Sequence, residues 1–287
     1  MTGTAANLAR RALRHPRSAR LAGPFLVRQK PPADVVVAQV GKVGSQAVSA
    51  SIEAAGLHTA HVHFLSRAGL RRAERVYEAR WDPARLPWHI WEGRRTVARL
   101  RSGERLDIVT VIRDPVARNV SSFFQVADLQ YGIDLTALEA DDLGELTRLF
   151  LETFDEHELP LRWLDDELRA ATGVDLYESD FDAERGWSVT ESDRARVLVL
   201  RTDRLADTFT GAVEAFLGRP GIALLQRNVS ADKATGGLYD EFRRLPRLPE
   251  AYVDQMYNSR LARHFFADDE LADLRRLWTG VPATEGR

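Results

Sequence analysis

The sequence predicts an α/β protein in which a three-layer, doubly wound parallel sheet carries a P-loop-like phosphate-binding loop. Four short apolar runs rich in β-branched residues support this, because such runs are typical of strands buried on both faces. Segments with helical spacing separate the runs, and strands that alternate with helices favour a parallel sheet. The 287 residues are 44% apolar and 29% charged, which fits a globular protein with a sizeable core.

The opening unit reads as strand, glycine loop and helix. The strand is the apolar run 34–40, and the loop is Gly41-Lys42-Val43-Gly44-Ser45-Gln46. Val48, Ile52 and Ala55 then recur at helical spacing, and Gly56 is a natural stop. Further strands are predicted at 59–65, 106–112 and 197–200, and further helices at 67–80, 88–103, 115–131, 142–172, 208–217 and 250–278. A late loop is predicted to hold Asn228, Ser230, Lys233, Gly236 and Gly237.

The first 30 residues differ from the rest, since they hold seven Arg or Lys residues and no acidic residue. They lack the apolar core of a secretory signal. We expect residues 1–30 to form a flexible, solvated basic arm. A basic amphipathic helix that contacts an anionic membrane or an acidic partner is the alternative. Residues 31–287 are predicted to form a single domain.

The composition limits the function classes. The chain has no cysteine, which excludes disulfides, thiolate metal sites and cysteine nucleophiles. No run of about 18 apolar residues is present, so no membrane-spanning helix is expected. The formal net charge of −2 gives no reason to expect a nucleic-acid partner. A cytoplasmic protein is predicted, with peripheral membrane contact through the arm left open.

A glycine loop between a strand and a helix is suited to bind an anion. Unpaired N–H groups at a helix start point outward, and glycines let a phosphate approach the backbone closely. Lys42 adds a positive charge, while Ser45 and Gln46 add hydrogen-bond donors. The loop differs from an ATPase P-loop because Val43, and not Ser or Thr, follows the lysine. A structural turn without a ligand is the simpler alternative.

A second motif, Arg113-Asp114-Pro115-Val116-Ala117-Arg118-Asn119-Val120-Ser121, stands where the third strand meets a helix. Pro115 suits the first helical position, and Arg113 offers a planar fork for a phosphate. Arg118 and Ser121 are three residues apart, so they share a helix face. Together the two motifs predict two separated phosphate-binding positions.

Both motifs resemble those of PAPS-dependent sulfotransferases, where PAPS is 3′-phosphoadenosine 5′-phosphosulfate. The first loop is similar to their 5′-phosphosulfate loop, although many members have proline at the position of Gly41. Arg113 and Ser121 are similar to the pair that binds the 3′-phosphate. The resemblance covers about residues 34–280. Residues 119–124 and 181–188 are similar to a bacterial sulfotransferase-like group described as putative capsular polysaccharide synthesis proteins.

The resemblance implies a sulfotransferase-type fold, PAPS as donor, PAP as product and no metal. The implied nucleotide-binding residues are Gly41, Lys42, Val43, Gly44, Ser45, Gln46, Arg113 and Ser121. Lys233 in the late loop is a further candidate, with a solvated lysine equally compatible. Lys42 is expected to stabilise the leaving group. The acceptor is expected to be a hydroxyl of a carbohydrate, a glycolipid or a related metabolite.

A base is needed to take the acceptor proton, and His58, His61 and His63 are the candidates. His61 and His63 project to one face of the second strand, close to the first loop. His61-Val62-His63-Phe64 resembles a segment of enzymes that modify heparan sulfate, in which a catalytic Glu precedes Val-His-Phe. We therefore rank His61 first and His63 second. His89 or a carboxylate elsewhere, and a purely structural histidine pair, remain open.

Two rival functions are compatible with the same residues. A magnesium-dependent nucleotide kinase of related topology would also bind phosphates at the loop, but the residue after Lys42 disfavours it. A non-catalytic protein could retain the nucleotide fold and bind the nucleotide without turnover.

Overall fold

The computed structural model describes residues 31–80, 86–138, 142–225, 236–244 and 248–280. These residues form an α/β fold around a five-stranded, mostly parallel sheet in the order β2-β1-β3-β5-β4. The strands span Val35–Ala38, Thr59–Val62, Leu106–Ile112, Trp187–Glu191 and Ala195–Arg201, numbered β1 to β5 in chain order. Strand β4 pairs antiparallel with β5, and the remaining pairings are parallel.

Helices connect the strands and continue beyond β5. Between the strands lie α1 Ser45–Ala54, α2 Arg67–Arg80, α3 Trp88–Arg101, α4 Pro115–Tyr131, α5 Leu143–Thr153 and α6 Leu159–Trp163. A π-helical segment, Leu164–Arg169, extends α6. After β5 come α7 Leu205–Leu217, α8 Gly236–Arg244, α9 Glu250–Tyr257, α10 Arg260–Phe265 and α11 Asp268–Thr279.

The sheet is covered by helices on both faces. On one face Val37 of β1 packs with Ile52 of α1 and Phe209 of α7. On the other face Val36 belongs to a larger cluster that includes Phe123 of α4 and residues of the C-terminal helices. Successive strand residues point to opposite faces, so an apolar run without polar interruptions is required when both faces are buried.

The structure differs from the predicted secondary structure at two places. Strand β4 was not predicted, because Trp187–Glu191 is a short, half-exposed edge strand without a continuous apolar run. Gly236 and Gly237 were placed in a loop, yet α8 begins there, and its Phe242 packs against Phe124 of α4. The helical stretch predicted at 250–278 is confirmed and consists of three helices. The four predicted strands are confirmed, with β1 and β2 shorter than expected.

The strand order places a topological switch between β1 and β3. From β1 the chain moves to β2 on one side of the sheet, and later returns to β3 on the other side. Helices leaving two adjacent strands toward opposite faces open a crevice at the carboxyl ends of those strands. The loop after β1 and Arg113 after β3 therefore lie at the edge where this fold class binds ligands.

Two predictions lie outside this description. Residues 1–30, the predicted basic arm, are not among the described residues, and the single-domain assignment stays a prediction. Among the helices that the structure describes, none combines the length and apolar character needed to cross a bilayer.

Candidate active site

The loop between β1 and α1 has an unusual backbone. Gly41, Lys42 and Gly44 take positive φ angles of 93°, 65° and 84°. Glycine adopts such angles without strain, whereas a lysine there is uncommon. Gly44 is the N-cap of α1 and provides no side-chain cap for the first helical N–H groups. The sequence thus folds into a tight turn that leaves the helix start open.

The Arg118 side chain of α4 packs against the protein-facing side of the loop and supports its backbone. Its side chain is buried, with 2% of the residue exposed. The guanidinium donates from Nη2 to the Val40 carbonyl at 3.2 Å and from Nε to the Gly41 carbonyl at 3.4 Å. It also pairs with the Glu156 carboxylate at 3.2 Å. Arg118 is therefore a support of the loop, although it shares a helix face with Ser121 in sequence.

Two further side chains hold the next two carbonyls. Arg113 donates from Nη1 to the Lys42 carbonyl at 2.7 Å. The Thr202 hydroxyl donates to the Val43 carbonyl at 2.8 Å. Four consecutive loop carbonyls are thus turned toward the protein. Because the carbonyl and the N–H of a trans peptide point in opposite directions, the following N–H groups face away from these side chains.

The backbone N–H groups of residues 43–46 are suited to bind an anion. No hydrogen bond joins the N–H groups of residues 43–46 to any residue that the structure describes. A row of such groups at the start of a helix is a recurrent phosphate- or sulfate-binding arrangement. The predicted residues Gly41 to Gln46 are therefore brought together in one concave backbone segment, with Lys42 half-buried beside it.

The second predicted phosphate position lies next to the first. Arg113 contacts the loop through Lys42, and its Nη2 is 3.5 Å from the Tyr239 hydroxyl of α8. The Tyr239 ring also meets Phe124, at 5.2 Å between ring centroids. Ser121 lies one helical turn before Phe124 on the same face of α4 and is buried. Its hydroxyl makes no hydrogen bond with a described residue.

Asp114, which is adjacent to Arg113, has a structural role. Its carboxylate caps α4 through the Val116 N–H at 2.9 Å, and it accepts from the Tyr257 hydroxyl and the Trp278 indole. Burial raises the pKa of this carboxyl group, and the three donors oppose that shift. An acidic residue held in this way has little capacity left to bind a ligand.

His61 contacts the loop directly. Its Nε2 lies 2.8 Å from Ser45 Oγ and 3.3 Å from Gln39 Nε2. Burial and the neighbouring His63 lower the pKa of His61 to about 4. At neutral pH the ring is therefore uncharged. Because the Gln39 amide nitrogen can only donate, this hydrogen-bond network assigns the acceptor role to His61 Nε2.

His63 and His89 extend the cluster. His63 Nδ1 lies 2.9 Å from Gln39 Nε2, and burial lowers the pKa of His63. The His89 ring is 4.9 Å from the His63 ring, and its Nε2 is buried without a described partner. Burial lowers the pKa of His89 to about 3. Among the described residues, no group of three or more His, Asp and Glu side chains is arranged to hold a metal ion.

Because these histidines are buried and uncharged, we expect the protein to lose folding stability at acidic pH. A histidine with a lowered native pKa binds its proton more weakly when folded, so stability falls as the pH drops below the unfolded value near 6.5. Between pH 6.5 and 5 the loss is roughly 1–2 kcal/mol for each such group. Urea unfolding at pH 7 and pH 5 should show a smaller loss in His89→Leu than in the wild type.

The exposed His58 provides the control for that experiment. Its side chain is 61% exposed and lies 3.4 Å from Asp34 at the start of β1. His58→Leu should retain the full wild-type loss of stability between the two pH values. Equal losses in the wild type and in His89→Leu would contradict the assignment of buried, neutral histidines.

His58 also marks the opposite edge of the sheet, so it is not part of the candidate site. A cavity of about 280 Å³ opens at that edge, and its lining includes His58, Glu53 and Glu92. It is separated from the loop by the length of β1. Of the three histidines considered from the sequence, the structure thus brings only His61 and His63 to the loop.

Three residues of the site were not predicted as such. Gln39 is 1% exposed, and its Oε1 accepts from the Gly41 N–H while its Nε2 contacts His61 and His63. The sequence signal that could have identified Gln39 is a glutamine within the otherwise apolar run 35–40. Arg118 and Glu156 could not be assigned, because their roles depend on contacts between distant segments. Lys233 lies outside the described residues, so its prediction is unchanged.

Comparison with known proteins adds one finding. Residues 142–267 match the family described as "putative capsular polysaccharide synthesis protein". The matched segment includes Glu156, Thr202 and Tyr239, whereas the loop after β1 and Arg113 precede it. It covers less than half of the chain. Searches of curated proteins and of solved structures gave no match.

Proposed function

We propose that this protein transfers a sulfuryl group from PAPS to a hydroxyl group of a carbohydrate. The observation that carries this proposal is the contact between the loop after β1, whose N–H groups 43–46 make no hydrogen bond with a described residue, and Arg113 after β3. We take the N–H groups as one anion-binding position and Arg113 with Ser121 as the second. PAPS offers one anionic group to each, since its phosphosulfate and its 3′-phosphate are on separate carbons of the ribose. The matched family favours a carbohydrate acceptor.

Donor binding would use the open N–H groups and the second phosphate position. The loop N–H groups with Ser45 and Gln46 receive the 5′-phosphosulfate. Arg113 keeps Nη1 on the Lys42 carbonyl, while its long Nη2 contact of 3.5 Å with Tyr239 is easily exchanged for a phosphate oxygen. The Ser121 hydroxyl completes this position. The two positions are thereby linked through Lys42 and Arg113.

In the reaction, a bond forms between the acceptor oxygen and sulfur. The bond between sulfur and the bridging oxygen of the 5′-phosphate breaks, and PAP leaves. Lys42 stabilises the negative charge that develops on that bridging oxygen. The acceptor proton passes to a base of the protein. Positioning and electrostatics dominate such transfers, by analogy with phosphoryl transfer.

We assign the base to His61. With a pKa of about 4 it is already deprotonated at neutral pH, and Nε2 is its basic nitrogen. The Ser45 hydroxyl lies 2.8 Å from that atom and can pass the acceptor proton to it. His63 is held by Gln39 and keeps the His61 ring in place. Glu156, 34% exposed and paired with Arg118, is the rival carboxylate.

The magnesium-dependent kinase is the weaker candidate. A metal–nucleotide complex needs a hydroxyl after the lysine or a free carboxylate beside the phosphates. Here Val43 follows Lys42, and the carboxylate of Asp114 is engaged by three donors. A non-catalytic nucleotide-binding protein differs from the proposal in turnover alone.

A melting-temperature screen tests the proposal directly. A ligand that binds the native state adds about 2.7 kcal/mol of stability when it is present at a hundred times its dissociation constant. PAP, ATP and ADP are therefore compared at one common concentration, where the tighter ligand gives the larger shift. We expect PAP to raise the melting temperature without magnesium, and ATP to have a smaller effect with or without it. Arg113→Met should abolish the PAP shift. A shift that requires both ATP and magnesium would contradict the proposal and support the kinase.

A further inference from the structure

Helix α2 exposes a row of arginines on one face. Arg67, Arg71 and Arg75 are four residues apart, and all three are exposed. At a rise of about 1.5 Å per residue, the row places a guanidinium about every 6 Å along the helix. Arg72 lies beside the row with 53% of its side chain exposed. We call Arg67, Arg71 and Arg75 the arginine row.

The row has no acidic partner within the part of the chain that the structure describes. None of its three side chains lies within ion-pair distance of a described carboxylate. The nearby Glu74 is engaged by Arg94 at 2.7 Å. Glu167 accepts from the N–H groups of Leu65 and Ser66 just before α2, so the helix start itself is occupied. The arginines are therefore the part of α2 open to a ligand.

This charge pattern works against the stability of the helix. Like charges four residues apart repel each other, and Arg67 stands at the positive end of the helix dipole with no acidic residue in the first turn. A helix face that is only exposed to solvent does not require several like charges at this spacing. On α5, for comparison, Arg148 pairs with Glu145 and Glu152 on the same helix. A destabilising row of one sign is typical of a binding surface.

Helix α2, which carries the row, contacts the histidine cluster of the candidate active site through Tyr77. Helix α2 follows directly on β2, which holds His61, and Tyr77 on α2 contacts the His89 ring at 5.6 Å between ring centroids. His89 in turn contacts His63 at 4.9 Å. The helix that carries the row is thus packed against the histidine cluster.

We infer that the arginine row binds an acidic glycan, and that the acceptor is a polysaccharide with regularly spaced carboxylate or sulfate groups. This inference rests on the proposed function, since it names the substrate class of the same site. Guanidinium groups bind planar anions through two parallel hydrogen bonds, and repeated anions along a polymer match a repeated cation along a helix.

The surroundings of the row disfavour two other polyanions. Proteins that bind single-stranded nucleic acid interleave aromatic side chains with basic ones, and residues 67–76 contain no aromatic residue. A membrane-surface helix presents its apolar face to lipid, whereas Leu70 and Ala73 of α2 are buried in a cluster with Ile90 and Val97 of α3. An acidic glycan needs neither feature.

The test compares two double variants that remove equal charge. Arg71→Gln with Arg75→Gln alters the row, and Arg101→Gln with Arg219→Gln alters exposed arginines at the opposite edge of the sheet. Affinity for oligogalacturonate is measured by calorimetry at several salt concentrations. The row variant should bind about five- to tenfold more weakly, because two exposed ion pairs are lost. Its salt dependence should also fall by about two charges.

The control variant should bind as the wild type does, and a neutral oligogalactose should not bind to any of them. An equal loss in both variants would overturn the inference, and so would a stronger effect of the row on single-stranded DNA or on anionic vesicles. A different result would refute the proposed function. If PAP does not raise the melting temperature but the row still binds oligogalacturonate, the sulfotransferase proposal is refuted and the glycan-binding surface is retained.

Discussion

Replacing Lys42 with alanine is expected to lower kcat for sulfuryl transfer by about 10²–10³-fold, with any acceptor that supports turnover. The reason is that the lysine is the proposed cation on the bridging oxygen, where charge develops in the transition state. The affinity for PAP should fall less, by about tenfold, because one hydrogen bond to a charged group is lost. Transfer is measured with sulfur-labelled PAPS, and PAP affinity by calorimetry.

The chain provides matched controls for this prediction. Arg105→Ala removes the same charge just before β3, where Arg105 pairs with Glu191 away from the loop. That variant should keep wild-type kcat and PAP affinity. His61→Asn is the companion variant, since it removes the proposed base without changing the loop charge. It should bind PAP normally and lose transfer. Unchanged kcat in Lys42→Ala would refute the role of the lysine.

Replacing Arg118 with leucine is expected to cost about 2–4 kcal/mol of unfolding free energy, because the Val40 and Gly41 carbonyls lose their donor. The Glu156 carboxylate, which is 34% exposed, also loses its partner, but water can solvate it. The loop then loses its support, so PAP should no longer raise the melting temperature. Urea unfolding with and without PAP measures both effects.

Arg148→Leu is the control for a charge pair at the surface. Arg148 is 51% exposed and bonds to Glu145 and Glu152 on its own helix. Its loss should leave the unfolding free energy nearly unchanged, because exposed ion pairs contribute little, and it should leave the PAP shift unchanged. Comparable losses in Arg118→Leu and Arg148→Leu would show that Arg118 does not support the loop. Arg118→Lys should be intermediate, since a lysine cannot reach both carbonyls and the carboxylate.

Local sequence patterns predicted most of the fold for physical reasons. A strand buried on both faces must be largely apolar where it is buried, and β1 and the central residues of β3 and β5 meet this requirement, with Thr110 as the polar exception. The edge strand β4 escapes detection because its exposed face imposes no such pattern. The two glycines at the start of α8 indicate a loop by their own preferences. Packing of Phe242 against Phe124 outweighs these preferences.

The candidate site was predictable only in its local parts. The loop and Arg113 follow strands, so the fold class alone places them at the same edge. The roles of Gln39 and Arg118 depend on contacts with residues 22 to 78 positions away, which no local pattern encodes. His61 was ranked as the first base from its strand position together with the resemblance carried by His61-Val62-His63-Phe64. Its hydrogen bond to Ser45 appears only once β2 pairs with β1.

The four supported carbonyls of the loop have a consequence for the order of folding. Their donors come from α4, from the end of β3 and from the residue after β5, and Thr202 is 159 positions from Val43. Closing such long segments costs chain entropy that only the finished sheet can offset. The anion-binding shape should therefore arise late, after β5 has joined the sheet. A nascent chain that ends before Thr202 would have the motif and lack the site.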